Sequence, residues 1–181
     1  MSSRIIDAIK TDHCELEDYY KKILNSTSDK EKAQWQSQFT WELARHSIGE
    51  ELVVYPQFEK KPLMDALWRR RTVKEQLKKF QNMKPSDPQF QPTITAVMQD
   101  LSEHIKEEES QGLPKLEGAL APEESENLSR DPLAGLRCHL SAPDKPPFET
   151  AIGLMTAPID HLADLFRKWP HTSGMPNPST K

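Results

Sequence analysis

Cysteine is scarce in this chain of 181 residues: Cys14 and Cys138 are the only two. Two distant thiols make no disulfide framework, so a reducing compartment is the default. The first residues lack an apolar signal core. No apolar run approaches the roughly 20 residues needed to span a bilayer. Basic residues form no stripe, and the net charge is -4. The one basic run, Arg69-Arg70-Arg71, falls within a helical pattern. Neither nucleic acid nor membrane is therefore an expected partner. A soluble, cytoplasmic protein is expected, monomeric or weakly oligomeric. No Ser-His-Asp or Cys-His group has the context that nucleophilic catalysis needs.

What is present is helical periodicity. A hydrophobic fraction of 35% beside 29% charge suits amphipathic helices with solvated outer faces. The length allows one domain with an appended tail. The first helix is expected from Ser3 to Leu24, with the stripe Ile5, Ile9, His13, Leu16, Tyr20 and Ile23. Ser28 and Glu31 make a capping box for a second helix running to Val54. Its stripe is Trp35, Phe39, Leu43, His46, Glu50 and Val54, with Pro56 expected as the stop. A third helix starts near Pro62 and presents Leu63, Ala66 (or Leu67), Arg70, Val73, Leu77 and Phe80. The fourth spans Thr93 to Ser110 with Ile94, Val97, Leu101, His104 and Glu108, and Pro114 closes the segment. The fold class is all-α, an antiparallel four-helix bundle over residues 1–117.

Two segments spell the same pattern. His46-Ser-Ile-Gly-Glu50-Glu51 leads to Pro56, and His104-Ile-Lys-Glu-Glu108-Glu109 leads to Pro114. Both read His-x-x-x-Glu-Glu-x-x-x-x-Pro. Positions four apart share a helix face, so each His and its Glu can grip one ion from the same side. A single histidine on an apolar face is more often a hydrogen-bonded core residue than a ligand. Two such pairs at equal offsets, with His13 on a third inner face, need a shared partner, because unpaired buried polar groups cost several kcal/mol. A cation is the simplest. The candidate metal residues are His13, His46, Glu50, His104 and Glu108. Glu51 and Glu109 lie about 100 degrees further around their helices and read as solvated or supporting groups. Glu103 and Glu107 read as outer-face charge.

Asp12-His13, the two repeated segments, and Val73-Lys74-Glu75-Gln76-Leu77 together resemble the hemerythrin-like, HHE cation-binding domain family over about residues 3–117. The tail is similar to the extension of fungal members. The resemblance implies a four-helix bundle holding two iron ions bridged by carboxylates, with activities that include reversible oxygen binding, iron or redox sensing, and oxidative chemistry. Carried over by position, His13 and His46 would bind one iron, His104 the other, and Glu50 and Glu108 would bridge. Dioxygen or a small molecule is the implied ligand.

This chain departs from the family at helix three. Arg70 and Ala66 stand where histidines are expected, and a guanidinium has no lone pair to give. Three outcomes stay open: two ions with open coordination positions; one ion at the better-ligated position, the ligand set of many non-haem Fe(II) oxygenases; or Arg70 in place of the second cation, paired with Glu50 or Glu108. Arg70 could instead turn outward with the basic run around it. The alternative to a carrier or sensor is an enzyme of small-molecule metabolism, by oxygenation or by acid-base chemistry with Arg70 as the candidate catalytic residue. A metal-free binding or structural descendant is the third reading. Residues 118–147 read as a long proline-rich loop, 148–170 as a further helix packing on the bundle, and 171–181 as a disordered tail. His139, beside Cys138, could fold over the bundle end but reads as a surface loop residue, as do His161 and His171.

Overall fold

The computed structural model describes residues 4–60 and 69–130, with residues 59, 60, 69–72 and 74 described by backbone alone. Its α-helices are α1 (Ile5–Asn25), α2 (Asp29–Gly49), α3 (Tyr55–Lys60), α4 (Arg69–Gln81), α5 (Phe90–Glu107), α6 (Leu113–Ala119) and α7 (Pro122–Arg130). No strand occurs among the described residues. No described helix is long and apolar enough to cross a membrane. The expected helix at 148–170, the tail at 171–181, Cys138, His139, His161 and His171 lie outside the described residues. Helical backbone runs through Arg70, but its side chain also lies outside them.

Each rod starts and stops for a local reason. Asp7 Oδ2 accepts from the Arg4 N–H at the head of α1, at 3.3 Å. Ser28 Oγ accepts from the Glu31 N–H at 3.2 Å and caps α2, as the sequence predicts. Phe90, buried against Phe80, extends α5 three residues ahead of the expected start at Thr93.

The prolines do not stop their helices. At Glu50–Val54 and again at Glu108–Gly112 the backbone opens into a π-helical turn, and an α-helix then resumes. The Tyr55 N–H donates to the Glu50 carbonyl and the Leu113 N–H to the Glu108 carbonyl. In a regular α-ladder each proline ring would clash with a carbonyl one turn back. The wider turn relieves that clash. Pro56 and Pro114 then stand in the first turn of α3 and α6, where a missing N–H is tolerated. The repeat therefore encodes a helix that widens at its glutamate and continues. Such single π turns often mark functional sites.

α1 packs on α2 and α5, and α4 packs on α2 and α5, so the four rods form a square. Cross-helix pairs give their directions. Asp12 meets Arg45 while Tyr19 meets Trp35. Gln76 meets Asp100 while Phe80 meets Phe90. Neighbouring rods are therefore antiparallel, as short connections favour. One apolar cluster gathers Leu16, Ile23, Phe39, Leu43, Leu77, Phe80, Ile94 and Leu101. A second gathers Ile5, Ile9, Val53, Val54, Phe58, Leu113 and Leu116. Between them, after Ile9 and before Leu16 on α1, lies a polar layer.

The first part of the expected proline-rich loop is helical instead. α7 packs against α1. Its buried face is serine, Ser125 and Ser129, which lets the backbones approach, while Leu128 rests on the second cluster. A hydrophobicity pattern cannot register a face made of serines. Ser125 Oγ accepts from the Ile5 N–H at 3.1 Å and donates to Glu117 Oε2 at 3.0 Å. Ser125→Ala leaves that buried donor at the head of α1 without its acceptor. It is expected to cost about 1–3 kcal/mol, read as a lower urea midpoint at unchanged slope.

Candidate metal centre

Helical spacing and the two π turns bring all five predicted residues into the polar layer. His13, His46, Glu50 and Glu108 are buried, and His104 is partly so. They form two triads, His13–His46–Glu50 and Glu50–His104–Glu108, each with potential ligand atoms within 4.8 Å of one another. Glu50 belongs to both. His46 Nε2 lies 3.1 Å from Glu50 Oε1, His13 Nε2 3.5 Å from Glu108 Oε2, and His104 Nε2 3.9 and 3.7 Å from Glu50 Oε2 and Glu108 Oε2. The His13 and His46 rings meet edge to face at 4.9 Å between centroids.

These atoms are near one another without being bonded. His13 Nε2, His46 Nε2, Glu50 Oε1 and Glu108 Oε2 are fully buried and have no hydrogen-bond partner among the described residues. Even the 3.1 Å approach of His46 to Glu50 lacks hydrogen-bond alignment. Buried polar atoms are nearly always satisfied. With Asp12 Oδ2 and His46 Nδ1 the layer holds six orphans, all imidazole nitrogens or carboxylate oxygens, and these are the donor types of a borderline or hard cation. The residues fit a metal ion.

The charges agree. Burial opposes an imidazolium at His46, but Glu50 and Asp12 outweigh it and hold its pKa up at about 10. Burial also opposes ionisation of Glu50, yet His46 and His104 keep its carboxylate charged well below the usual range. Glu108 is pushed up to about 8, by burial first and then by Glu50; two adjacent buried carboxylates cannot both ionise freely. Burial lowers His13, reinforced by His46. Burial also works against His104, but the nearby Glu50 carboxylate raises it. A metal-free layer at pH 7 thus carries protons on His46 and Glu108 that an incoming cation must expel. Metal uptake is expected to release protons, and affinity to rise as pH climbs through about 8 toward about 10. Calorimetry in buffers of different ionisation enthalpy measures the release.

Three groups that the sequence did not single out as part of the site, Asp12, Arg45 and Tyr55, complete the layer together with Glu109. Asp12, quoted only as part of the family pattern, is buried: Oδ1 accepts from Arg45 Nη2 at 2.9 Å and Oδ2 faces His46 Nδ1 at 3.4 Å. Arg45 Nε donates to Glu42 Oε2 at 2.7 Å. Burial works against the Arg45 charge, but Asp12 and Glu42 raise its pKa further. Tyr55 donates its hydroxyl proton to Glu50 Oε2 at 2.8 Å. Glu109, read as solvated or supporting, proves supporting: Oε1 accepts from His13 Nδ1 at 2.7 Å. Its place in the Glu-Glu doublet was the available signal.

An antiparallel helix bundle with a buried imidazole and carboxylate layer places the chain in the class of helix bundles whose core could hold a metal ion. The chain belongs to the hemerythrin family: the model of the hemerythrin HHE cation binding domain matches residues 4–116. An uncharacterized hemerythrin-like protein of Schizosaccharomyces pombe is 43% identical over 180 residues, covering 93% of this chain and 89% of that protein. Coverage that broad reaches well past the family domain into the C-terminal segment. No solved structure matches the chain.

Proposed function

We propose that this protein is a non-haem iron protein that binds dioxygen or a comparable small ligand in the bundle core. The observation that carries the reading is the pair of triads sharing Glu50, with their donor atoms buried and unsatisfied. Iron is the metal of choice because two imidazoles with carboxylates and open positions suit Fe(II). Bound iron would supply a redox-active centre with room for an exogenous ligand. The protein's part is to exclude water and to hold the donors. Apolar clusters flank the layer above and below, and Tyr55 fixes one Glu50 oxygen.

The position of His13, His46 and Glu50 is the one we expect to fill first. All three of its residues are buried, and each has a hydrogen-bonding or facing partner beside it: Glu109, Asp12 and Tyr55. The position of His104 lies nearer solvent, and the sequence places Ala66 and Arg70 where the family supplies histidines. Anaerobic loading with Fe(II), elemental analysis and then exposure to air test the reading. Iron retention with new oxygen-dependent absorption bands supports it. Purified protein that retains no iron under loading overturns it.

A second reading is favoured by the proton-bearing groups at the carboxylates. Tyr55 donates to Glu50, and Glu108, raised to about 8, holds a proton at neutral pH. That equipment suits acid-base assistance to oxidation of a small molecule. Substrate-dependent oxygen consumption separates an enzyme from a carrier or sensor.

A further inference from the structure

The sequence carries two doublets in which one residue faces the polar layer and its neighbour reaches across to another helix. In Asp12-His13 on α1, His13 enters the layer while Asp12 Oδ2 faces Nδ1 of His46 on α2 at 3.4 Å. In the doublet Glu108-Glu109, which opens the second π turn, Glu108 enters the layer while Glu109 Oε1 accepts from Nδ1 of His13 on α1 at 2.7 Å. Adjacent helical residues diverge by about 100 degrees, which is the angle needed to serve the layer with one side chain and the adjoining rod with the next. The dependency runs from the second π turn to α1 to α2.

We propose that Glu109 and Asp12 are positioning residues that fix the ring proton of His13 and His46 on Nδ1 and leave Nε2 to the metal. A carboxylate accepts and does not donate, so a histidine bonded to one through Nδ1 carries its proton there. The contrast is complete at His13, whose Nε2 is buried and unsatisfied while its Nδ1 bonds Glu109. At His46 both ring nitrogens are unsatisfied, and Nδ1 faces the equally unsatisfied Asp12 Oδ2 at 3.4 Å, close enough for a small ring rotation to make the bond. Asp12 is itself held, since Arg45 Nη2 takes its other oxygen at 2.9 Å and Glu42 steadies Arg45 at 2.7 Å. A fixed Asp12 sets the ring plane of His46 from outside the layer. The proposal deepens the reading of a metal centre and rests on it.

The test uses the full chain, with Fe(II) as the probe under anaerobic conditions and a competing chelator. Glu109→Ala removes the acceptor for His13 and is expected to weaken Fe(II) binding about 10–100-fold. Glu109→Gln keeps an acceptor oxygen and is expected to recover most of the loss. Glu109 is 32% exposed, so its replacement leaves the core intact, and far-UV circular dichroism checks this. Asp12→Asn is expected to weaken binding likewise; should it fail to fold, the Glu109 pair carries the test alone. Ring nitrogen shifts of His13 in the metal-free protein supply a second readout. The proton is expected on Nδ1 in the wild type and shifted toward Nε2 in Glu109→Ala. Unchanged Fe(II) affinity in Glu109→Ala, or a wild-type His13 protonated on Nε2, would overturn the proposal. A wild-type protein that takes up no Fe(II) sinks the metal reading instead, because the ring-proton assignment is made without metal.

Discussion

Glu50→Ala is expected to abolish iron loading at both positions, whereas His104→Ala removes only the second. The contrast follows from membership. Glu50 offers an oxygen to His13 and His46 in one triad and to His104 and Glu108 in the other, while His104 serves one triad alone. In metal-free protein the loss of Glu50 is offset internally. The carboxylate's own burial cost disappears, and His46, held at about 10 chiefly by Glu50 against burial, falls toward the neutral form that burial prefers. The variant should therefore fold, and helicity by circular dichroism confirms that metal loss is not unfolding. Elemental analysis after anaerobic Fe(II) loading reads the result. Background iron in Glu50→Ala beside retained iron in His104→Ala supports the shared-carboxylate arrangement. Full iron content in Glu50→Ala would move the site elsewhere.

Why Glu50 and Glu108 were legible, and Asp12, Arg45 and Tyr55 were not, is a matter of range. A His and a Glu four apart share a face in any helix, so their joint presence in an apolar stripe appears without a fold. Val73, Leu77 and Phe80 on α4, and Ile94, Val97 and Leu101 on α5, were readable for the same reason and are buried as expected. Asp12 and Arg45 are buried because each finds the other across two helices, and no local pattern distinguishes that pair from two solvated charges. The π turns were hidden by their own prolines. Pro56 and Pro114 read as stops, and only the backbone shows that an extra residue in the turn carries the helix past them. That widening keeps Val53, Val54 and Tyr55 facing inward after Glu50 and so allows Tyr55 to reach it. The layer's supports thus depend on a local irregularity that a regular helical wheel excludes.

Arg45→Met is expected to destabilise the metal-free protein by about 3–5 kcal/mol, because it strips buried Asp12 of its bonded guanidinium partner and leaves it facing the unbonded His46 ring at 3.4 Å. For a chain of this length that corresponds to roughly 6–20 °C in melting temperature. Glu42 suffers less, since it is partly exposed and keeps the Gln38 amide at 2.9 Å. Removing both members of the pair reverses most of the stability loss. In Asp12→Leu with Arg45→Met no charge is stranded, and apolar side chains of similar bulk fill the space, a replacement that is commonly neutral or stabilising. Iron binding should stay weakened in it, because with Asp12 gone His46 Nδ1 no longer faces that carboxylate. Thermal melts of metal-free protein and chelator competition with Fe(II) read the two effects separately. Stability restored with affinity still about 10–100-fold down assigns the pair to the metal centre. Affinity restored together with stability would assign it to folding alone. The first outcome is the one the geometry favours: Arg45 lies on the far side of Asp12 from the imidazole and holds the carboxylate that meets the ring.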